Sequence, residues 1–198
     1  AYIEEGQGEV LLFIHGFCGS SEYWNEVIHE LSADYRVIAI DLPGHGESKN
    51  HDGVLDIDQY ASVIKSFLEE LKIEKVTMLG HSLGGYITLA FAESYSQYLN
   101  GFSLIHSTGF PDSEEAKKGR TASAGKIDKD GIDPFVDGLV PKLFAPENVE
   151  THRQSLTKVK KIGYETSPEG AKDALNAMKV RKDRTEVLAN TKLPVLLI

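Results

Sequence analysis

The chain has 198 residues and a net charge of −9, from 21 Lys and Arg against 30 Asp and Glu, and this length suits one domain or one domain with an insertion. The acidic balance gives no electrostatic footprint for nucleic acid or an anionic membrane. Hydrophobic residues make up 41% and charged residues 26%, which excludes a disordered chain. The single cysteine excludes an internal disulfide and a cysteine-based zinc site. We expect a cytoplasmic protein, because the sequence shows one cysteine, no visible leader sequence and no apolar run of membrane length.

Strand and helix patterns alternate through the first half of the chain. Continuous apolar runs predict strands that are buried on both faces, and apolar residues at helical spacing predict the helices between them. The predicted strands are 10–14, 36–40, 75–79, 101–106 and 195–198, with a short edge strand at 2–4, and the predicted helices are 22–31, a helix capped by Asp56 and Gln59, and 83–98. This alternation predicts an α/β fold with a mostly parallel, doubly wound sheet.

Residues 110–184 interrupt the alternation. They contain no strand-like run, and Pro146 and Ser167-Pro168 are typical helix starts. We therefore predict a core over 1–109, a helical insertion over 110–184 and a return to the core over 185–198. Between residues 112 and 184 there are 15 basic and 13 acidic residues, which we interpret as solvated helix faces, with attraction of anionic substrates left open as the alternative.

The strongest chemical signal is Gly80-His81-Ser82-Leu83-Gly84, placed between a predicted strand and an apolar helix. A sharp turn there puts Ser82 in a strained backbone conformation, and its close neighbours must lack Cβ atoms. The serine hydroxyl then projects from the carboxyl edge of the sheet, where open α/β sheets bind ligands. The pattern indicates a nucleophilic serine.

Two loops follow the first two buried strands and are expected at the same edge. The loop His15-Gly16-Phe17-Cys18-Gly19-Ser20 can direct a backbone N–H at the carbonyl that the serine attacks. We interpret His15 as a brace for that loop and Cys18 as a small turn residue. The second loop, Asp41-Leu42-Pro43-Gly44-His45-Gly46-Glu47-Ser48, is interpreted as a scaffold rather than a source of catalytic groups.

These three motifs, in this order, resemble the α/β-hydrolase fold family in its serine hydrolase branch. The resemblance implies Ser82 as nucleophile, the N–H groups of Phe17 and Leu83 as the oxyanion hole, and residues 110–184 as a helical cap inserted after the sixth strand. It implies no metal and no organic cofactor. Apolar cap and loop residues favour a small or medium acyl substrate, and we expect the pocket to be lined by Phe17, His81, Phe110, Phe144 and Met178.

A serine nucleophile also needs a base and an orienting acid. The family places the acid and then the histidine after the nucleophile, which here means past Ile198. None of the seven histidines stands where the family places its base, and Asp112 is a weak substitute for the acid. We therefore expect the 198 residues to be part of a longer chain, inactive or nearly so alone, with an Asp or Glu in a Gly-containing turn past Ile198 and a histidine one strand later. A complete protein that has lost its triad is the alternative.

The residues at and just after the Ser82 turn narrow the range of reactions. By resemblance, Ser82 argues against the dehalogenase and epoxide hydrolase branches, and Tyr86 after Gly85 weakens a menaquinone-pathway synthase. The favoured function is hydrolysis of a small or medium ester, thioester or lactone through an acyl-enzyme on Ser82. A C–C hydrolase or acyltransferase on the same nucleophile stays open, as does a non-catalytic ligand-sensing protein. The expected partner is a small-molecule acyl substrate, and no oligomeric state is predicted.

Overall fold

A computed structural model describes all 198 residues and contains one six-stranded sheet. The strands are β1 (Tyr2–Glu5), β2 (Val10–Ile14), β3 (Arg36–Ile40), β4 (Val76–His81), β5 (Leu99–Ile105) and β6 (Val195–Leu197). Their order across the sheet is β1-β3-β2-β4-β5-β6; β1 runs antiparallel to β3, and every other pair is parallel. The predicted α/β class is confirmed, as are the strands, with ends shifted by one or two residues.

The helices fall into two groups. Those between the strands are α1 (Asn25–Leu31), α2 (Ile57–Glu70) and α3 (Leu83–Tyr95); the block before β6 holds α4 (Glu114–Asp130), α5 (Ile132–Leu139), α6 (Asn148–Thr151), α7 (Arg153–Tyr164), α8 (Pro168–Val180) and α9 (Thr185–Asn190). Three 3₁₀ turns lie at Ser21–Trp24, Ser96–Tyr98 and Val140–Leu143. The first turn replaces the beginning of the predicted helix 22–31, and the second replaces the end of the predicted helix 83–98. None of the helices is both long and apolar enough to cross a lipid bilayer.

The predicted insertion is helical and follows β5, the fifth strand in this chain's own count rather than the sixth. The resemblance to the family implied six strands before the insertion, whereas this chain has five. The order of the elements is otherwise as predicted. We refer to α4–α8 as the cap.

The start of α2 follows the predicted capping box. The Asp56 carboxylate accepts a hydrogen bond from Gln59 N–H at 2.7 Å, and the Gln59 side chain accepts one from Asp56 N–H at 2.8 Å. These bonds satisfy backbone donors that the first turn of a helix leaves free. The helix then buries Tyr60, Ile64 and Leu68 against the sheet.

Both faces of the sheet are covered, because successive side chains of a strand point to opposite faces. Leu12 and Ile14 belong to the large core that includes residues of α2, α3 and the cap. Phe13, between them, belongs to a smaller core with Trp24 and Ile28 on the other face. This double burial explains why the strands have continuous apolar sequences. All parallel strands direct their carboxyl ends to one edge, where the predicted loops lie.

The cap meets that edge through a backbone contact between two glycines. A Cβ atom on Gly170 of α8 would lie 2.6 Å from the Cα of Gly44, in the loop after β3. Beside this contact, Ser167 N–H donates to Gly44 O at 2.9 Å, and the Ser167 hydroxyl donates to the Asn50 side chain at 2.6 Å. The beginning of α8 is therefore held directly against a core loop.

The segment that follows the cap is held by a buried arginine. Arg184 has only 4% of its surface exposed; its guanidinium donates to Glu93 of α3 at 3.0 Å and pairs with Asp58 of α2. Its backbone N–H donates to Gly109 O at 2.8 Å. The two carboxylate partners satisfy a guanidinium that burial alone would disfavour, and the backbone bond fixes the main chain at the same position.

The glycine contact gives a test with a matched control. Gly170→Ala places a methyl group against the backbone of Gly44, so we expect the free energy of unfolding to fall by about 1–3 kcal/mol. Gly119→Ala, in an open position of α4, is the control. It should raise the stability by up to about 1 kcal/mol, because alanine favours a helix over glycine. Urea unfolding measures both variants, and changes of the same sign would contradict the contact.

Candidate active site

Ser82 lies at the turn between β4 and α3 in a backbone conformation that is rare for a residue with a side chain. Its φ is +50° and its ψ is −109°. Such a conformation costs on the order of 1–3 kcal/mol and persists only where the surroundings hold it. Here Ser82 N–H donates to Ile105 O at 2.9 Å, while the Ser107 hydroxyl and Gly85 N–H donate to Ser82 O at 2.8 and 2.9 Å. The predicted strained turn is confirmed.

The glycines of this turn are required by space. A Cβ atom on Gly80 would overlap the carbonyl of Gly84, and one on Gly84 would overlap the carbonyl of Ile14 at the end of β2. Because these neighbours are backbone atoms, they cannot move aside as a flexible side chain would. The turn therefore packs against the ends of its own helix and of β2 only without side chains at 80 and 84.

The loop after β2 lies beside the serine. A Cβ atom on Gly16 would be 3.4 Å from the Cβ of Ser82 and 2.7 Å from Nδ1 of His81. The N–H of Phe17 makes no hydrogen bond within the chain. Leu83 is the first residue of α3, so its N–H has no acceptor within the helix. Leu83 follows Ser82 in sequence, and Phe17 lines the same cavity as Ser82. That their two N–H groups form an oxyanion hole stays a prediction.

His15 braces this loop, as interpreted from the sequence. The ring is fully buried, with Nδ1 2.7 Å from Gly16 O and Nε2 accepting from Leu42 N–H at 2.9 Å. Burial, followed by the neighbouring His45, lowers the pKa of His15 to about 3. A neutral ring that ties two loops together has no free nitrogen for proton transfer.

Cys18 and the loop after β3 also have structural roles. Burial raises the pKa of the Cys18 thiol to about 12, which excludes a reactive thiolate at neutral pH. Asp41 accepts from Ser21 N–H at 2.7 Å and from Glu47 N–H at 3.0 Å, so its carboxylate organises both loops. His45 is fully buried, and burial lowers its pKa to about 4. The interpretation of this loop as a scaffold is confirmed.

A cavity of about 670 Å³ opens at Ser82 between the core and the cap. Four of the residues expected to line the pocket do line it with Ser82: Phe17, His81, Phe144 and Met178. The expectation for Phe110 is wrong, because its side chain is 63% exposed and lies outside the cavity. Its backbone carbonyl is used instead, as the acceptor of a hydrogen bond from Arg181 Nε at 3.1 Å.

The cavity also contains residues that the sequence patterns did not single out, namely Tyr23, Trp24, His106, Arg120 and Lys158. His106 follows β5 at the carboxyl edge of the sheet, and that position was a usable signal. Trp24 packs on Phe13 with ring centroids 4.9 Å apart. The cationic residues of the cap were not singled out one by one, because solvated helices carry the same residue types.

The chain contains no base in contact with the nucleophile. No histidine hydrogen-bonds the Ser82 hydroxyl, although His81 and His106 share the cavity with ring centroids 6.3 Å apart. Burial, followed by the neighbouring His106, lowers the pKa of His81. Asp112 is paired with Arg120 and Arg181, so it does not act as a free acid for Ser82. No group of three or more His, Cys, Asp or Glu side chains is arranged to hold a metal ion.

Comparison with known proteins identifies the family. The model of the alpha/beta hydrolase fold matches residues 9–128, which include all three motifs. The chain belongs to the α/β-hydrolase fold family. An uncharacterised relative from Mycobacterium tuberculosis is 38% identical over 104 residues, which are 52% of this chain and 30% of that protein. The chain thus spans about 30% of the length of the first curated relatives that it matches.

Solved α/β hydrolases match the chain along its whole length. A thermophilic esterase from Thermogutta terrifontis, solved with malate bound, is 30% identical with a TM-score of 0.94, covering 100% of this chain and 73% of the esterase. The enol-lactonase from Burkholderia xenovorans is 22% identical with a TM-score of 0.91, covering 100% of this chain and 76% of the lactonase. The second likeness shows the fold alone.

The buried histidines predict a loss of stability in acid. Both His15 and His45 have pKa values well below about 6.5, the value in an unfolded chain, so only the unfolded chain gains these protons as the pH falls. Between pH 6.5 and 5 we expect the free energy of unfolding to fall by up to about 1.4 kcal/mol per pH unit for each histidine. Urea unfolding from pH 7.5 to 5 measures this slope.

A substitution isolates the contribution of one ring. His45→Gln should reduce the dependence of the free energy of unfolding on pH by the contribution of one histidine, whatever its effect on the stability at pH 7.5. His29→Gln is the control, because His29 is exposed on α1. A slope that His45→Gln leaves unchanged would show that His45 takes up its proton in the folded protein.

Proposed function

We propose that the protein is a serine hydrolase that cleaves a small or medium ester, thioester or lactone through an acyl-enzyme on Ser82. The observation that carries the proposal is the φ of +50° at Ser82, in a turn that opens into a cavity shared with the cap. Backbone strain of this kind clusters at functional sites. A hydroxyl on a strand-to-helix turn also meets a substrate carbonyl without obstruction by its own backbone.

In the proposed reaction the Ser82 hydroxyl attacks the substrate carbonyl and loses its proton to a general base. The carbonyl oxygen becomes an oxyanion, which accepts hydrogen bonds from the N–H groups of Phe17 and Leu83. Collapse of this intermediate breaks the bond to the alcohol, thiol or lactone oxygen, which takes the proton from the base. Water then attacks the acyl-enzyme and loses a proton to the same base. The bond to Ser82 breaks, the acid is released, and the Ser82 oxygen regains its proton from the base. The base and its orienting acid, predicted past Ile198, stay predictions.

The walls of the cavity support an acyl substrate of modest size. Phe17, Leu139, Phe144 and Met178 give it a largely apolar lining, and Phe135 packs edge-on behind Phe17 at 6.0 Å. A volume of about 670 Å³ lies within the range of small-molecule sites. The 30% identity to an esterase supports ester cleavage in particular. The proposed partner is therefore a small acyl compound.

Covalent labelling tests the nucleophile. We expect a fluorophosphonate probe to label the full-length protein at Ser82, and Ser82→Ala to abolish labelling and lower kcat by about 10⁴–10⁶-fold on p-nitrophenyl esters. Ser62→Ala is the control, because Ser62 lies exposed on α2, outside this cavity. It should label and turn over as the parent protein does. Mass spectrometry of the labelled peptide locates the adduct.

The outcomes separate the alternatives that the sequence leaves open. Turnover of esters or lactones with short acyl chains supports the proposal. Cleavage of β-diketones alone favours the C–C hydrolase, and acyl transfer to an alcohol in preference to water favours the acyltransferase. If the full-length protein has a histidine and a carboxylate past Ile198 and is still not labelled, that result contradicts every enzyme proposal and favours the ligand-sensing alternative.

A further inference from the structure

The cavity at Ser82 contains an arginine whose hydrogen-bonding capacity the protein does not use fully. Arg120 projects from α4 into the cavity, and its side chain is 26% exposed. It makes one hydrogen bond within the chain, in which Nε donates to Asp112 Oδ2 at 3.1 Å. An arginine side chain carries five N–H donors in a planar fork. The two terminal nitrogens of Arg120 are therefore free to bind an acceptor.

The partner of Arg120 is shared with a second arginine, which is fully engaged. Arg181 pairs with the other oxygen of Asp112, donates to the carbonyls of Phe110 and Met178 at 3.1 and 2.9 Å, and lies 4.0 Å above the ring of Tyr86. Its side chain is only 6% exposed. Burial acts to raise the pKa of Asp112, but the two arginines outweigh it and lower the pKa, so the carboxylate stays charged. One negative charge therefore stands against two positive ones.

The other charges at the cavity do not remove this excess. Lys158 lies 3.8 Å from Glu26, and both residues line the cavity, so that they balance each other. Burial, followed by the neighbouring His106, lowers the pKa of His81 and so favours its neutral form. The result is a single net positive charge, on a guanidinium with an open edge, in an otherwise largely apolar space.

We propose that Arg120 binds a carboxylate carried by the acyl substrate, so that the preferred substrates are monoesters or lactones of dicarboxylic acids. The planar edge formed by two terminal nitrogens matches both oxygens of a carboxylate. A single excess charge balances a carboxylate better than a phosphate monoester, whose charge is about −2 near neutral pH. The assignment of this anion to a substrate rests on the proposed hydrolysis at Ser82, whereas the anion site itself does not.

Binding of an unreactive pair of probes tests the site. By calorimetry at low salt, we expect 4-phenylbutyrate to bind about tenfold or more tightly than neutral 4-phenylbutanamide, because charge-assisted hydrogen bonds are the stronger ones. R120Q should bring the ratio of the two affinities close to one. R153Q is the control, since Arg153 lies exposed on α7, pairs with Glu150 and is outside the cavity. It should keep the ratio.

R120K guards against a loss of folding in R120Q, because it keeps a cation beside Asp112. A single ammonium group lacks the planar fork, so R120K should lower the ratio while the thermal unfolding midpoint stays near that of the parent protein. Equal affinities for the two probes in the parent protein would overturn the anion site. A ratio that R120Q and R120K both leave unchanged would also overturn it.

Kinetics distinguish this inference from the proposed function. In the full-length protein, R120Q should raise KM for p-nitrophenyl hemiglutarate at least several times more than it raises KM for p-nitrophenyl butyrate. If neither ester is cleaved while the carboxylate probe still binds through Arg120, the hydrolase proposal fails and the anion site stands. If both esters are cleaved with equal kcat/KM, and R120Q changes neither value, the hydrolase proposal stands and the substrate inference fails.

Discussion

The arrangement at the carboxyl edge of the sheet depends on one constraint, the left-handed backbone of Ser82. A residue with a side chain takes up this conformation only where hydrogen bonds hold it and where its neighbours leave room. The carbonyls of Ile105 and Ser82 and the hydroxyl of Ser107 provide the bonds. The missing side chains at 80 and 84 provide the room. Three separate chain segments therefore converge at this turn, and the rest of the site is arranged around it.

Buried polar groups fix the surrounding loops without taking part in chemistry. His15 joins the loop after β2 to Leu42, and Asp41 joins the loop after β3 to the 3₁₀ turn at Ser21. Each of these groups has its hydrogen bonds directed at backbone atoms, which leaves little freedom for the loops they connect. The strained turn of Ser82 and the free N–H of Phe17 are held in this frame of backbone hydrogen bonds.

The sequence was sufficient to predict the strands, the strained turn at Ser82 and the structural roles of His15 and Cys18. Their signals are local: apolar runs, glycines at fixed spacing and loops that directly follow strands. The lining of the cavity was less predictable, because it depends on how a long insertion folds back. Phe110 is apolar and close to β5 in sequence, yet its side chain lies in solvent. Arg120 resembles any charged residue of a solvated helix, and only the position of Asp112 between two arginines distinguishes it.

The contact between Gly44 and Gly170 has a consequence for the evolution and engineering of this fold. The insertion that contains α8 packs directly on the main chain of a core loop. It therefore cannot be exchanged between proteins independently of that loop. A cap transplanted from another hydrolase would meet the loop after β3 with different side chains and settle at another height above Ser82. Exchanging specificity between relatives therefore requires moving the core loop together with the helix that touches it.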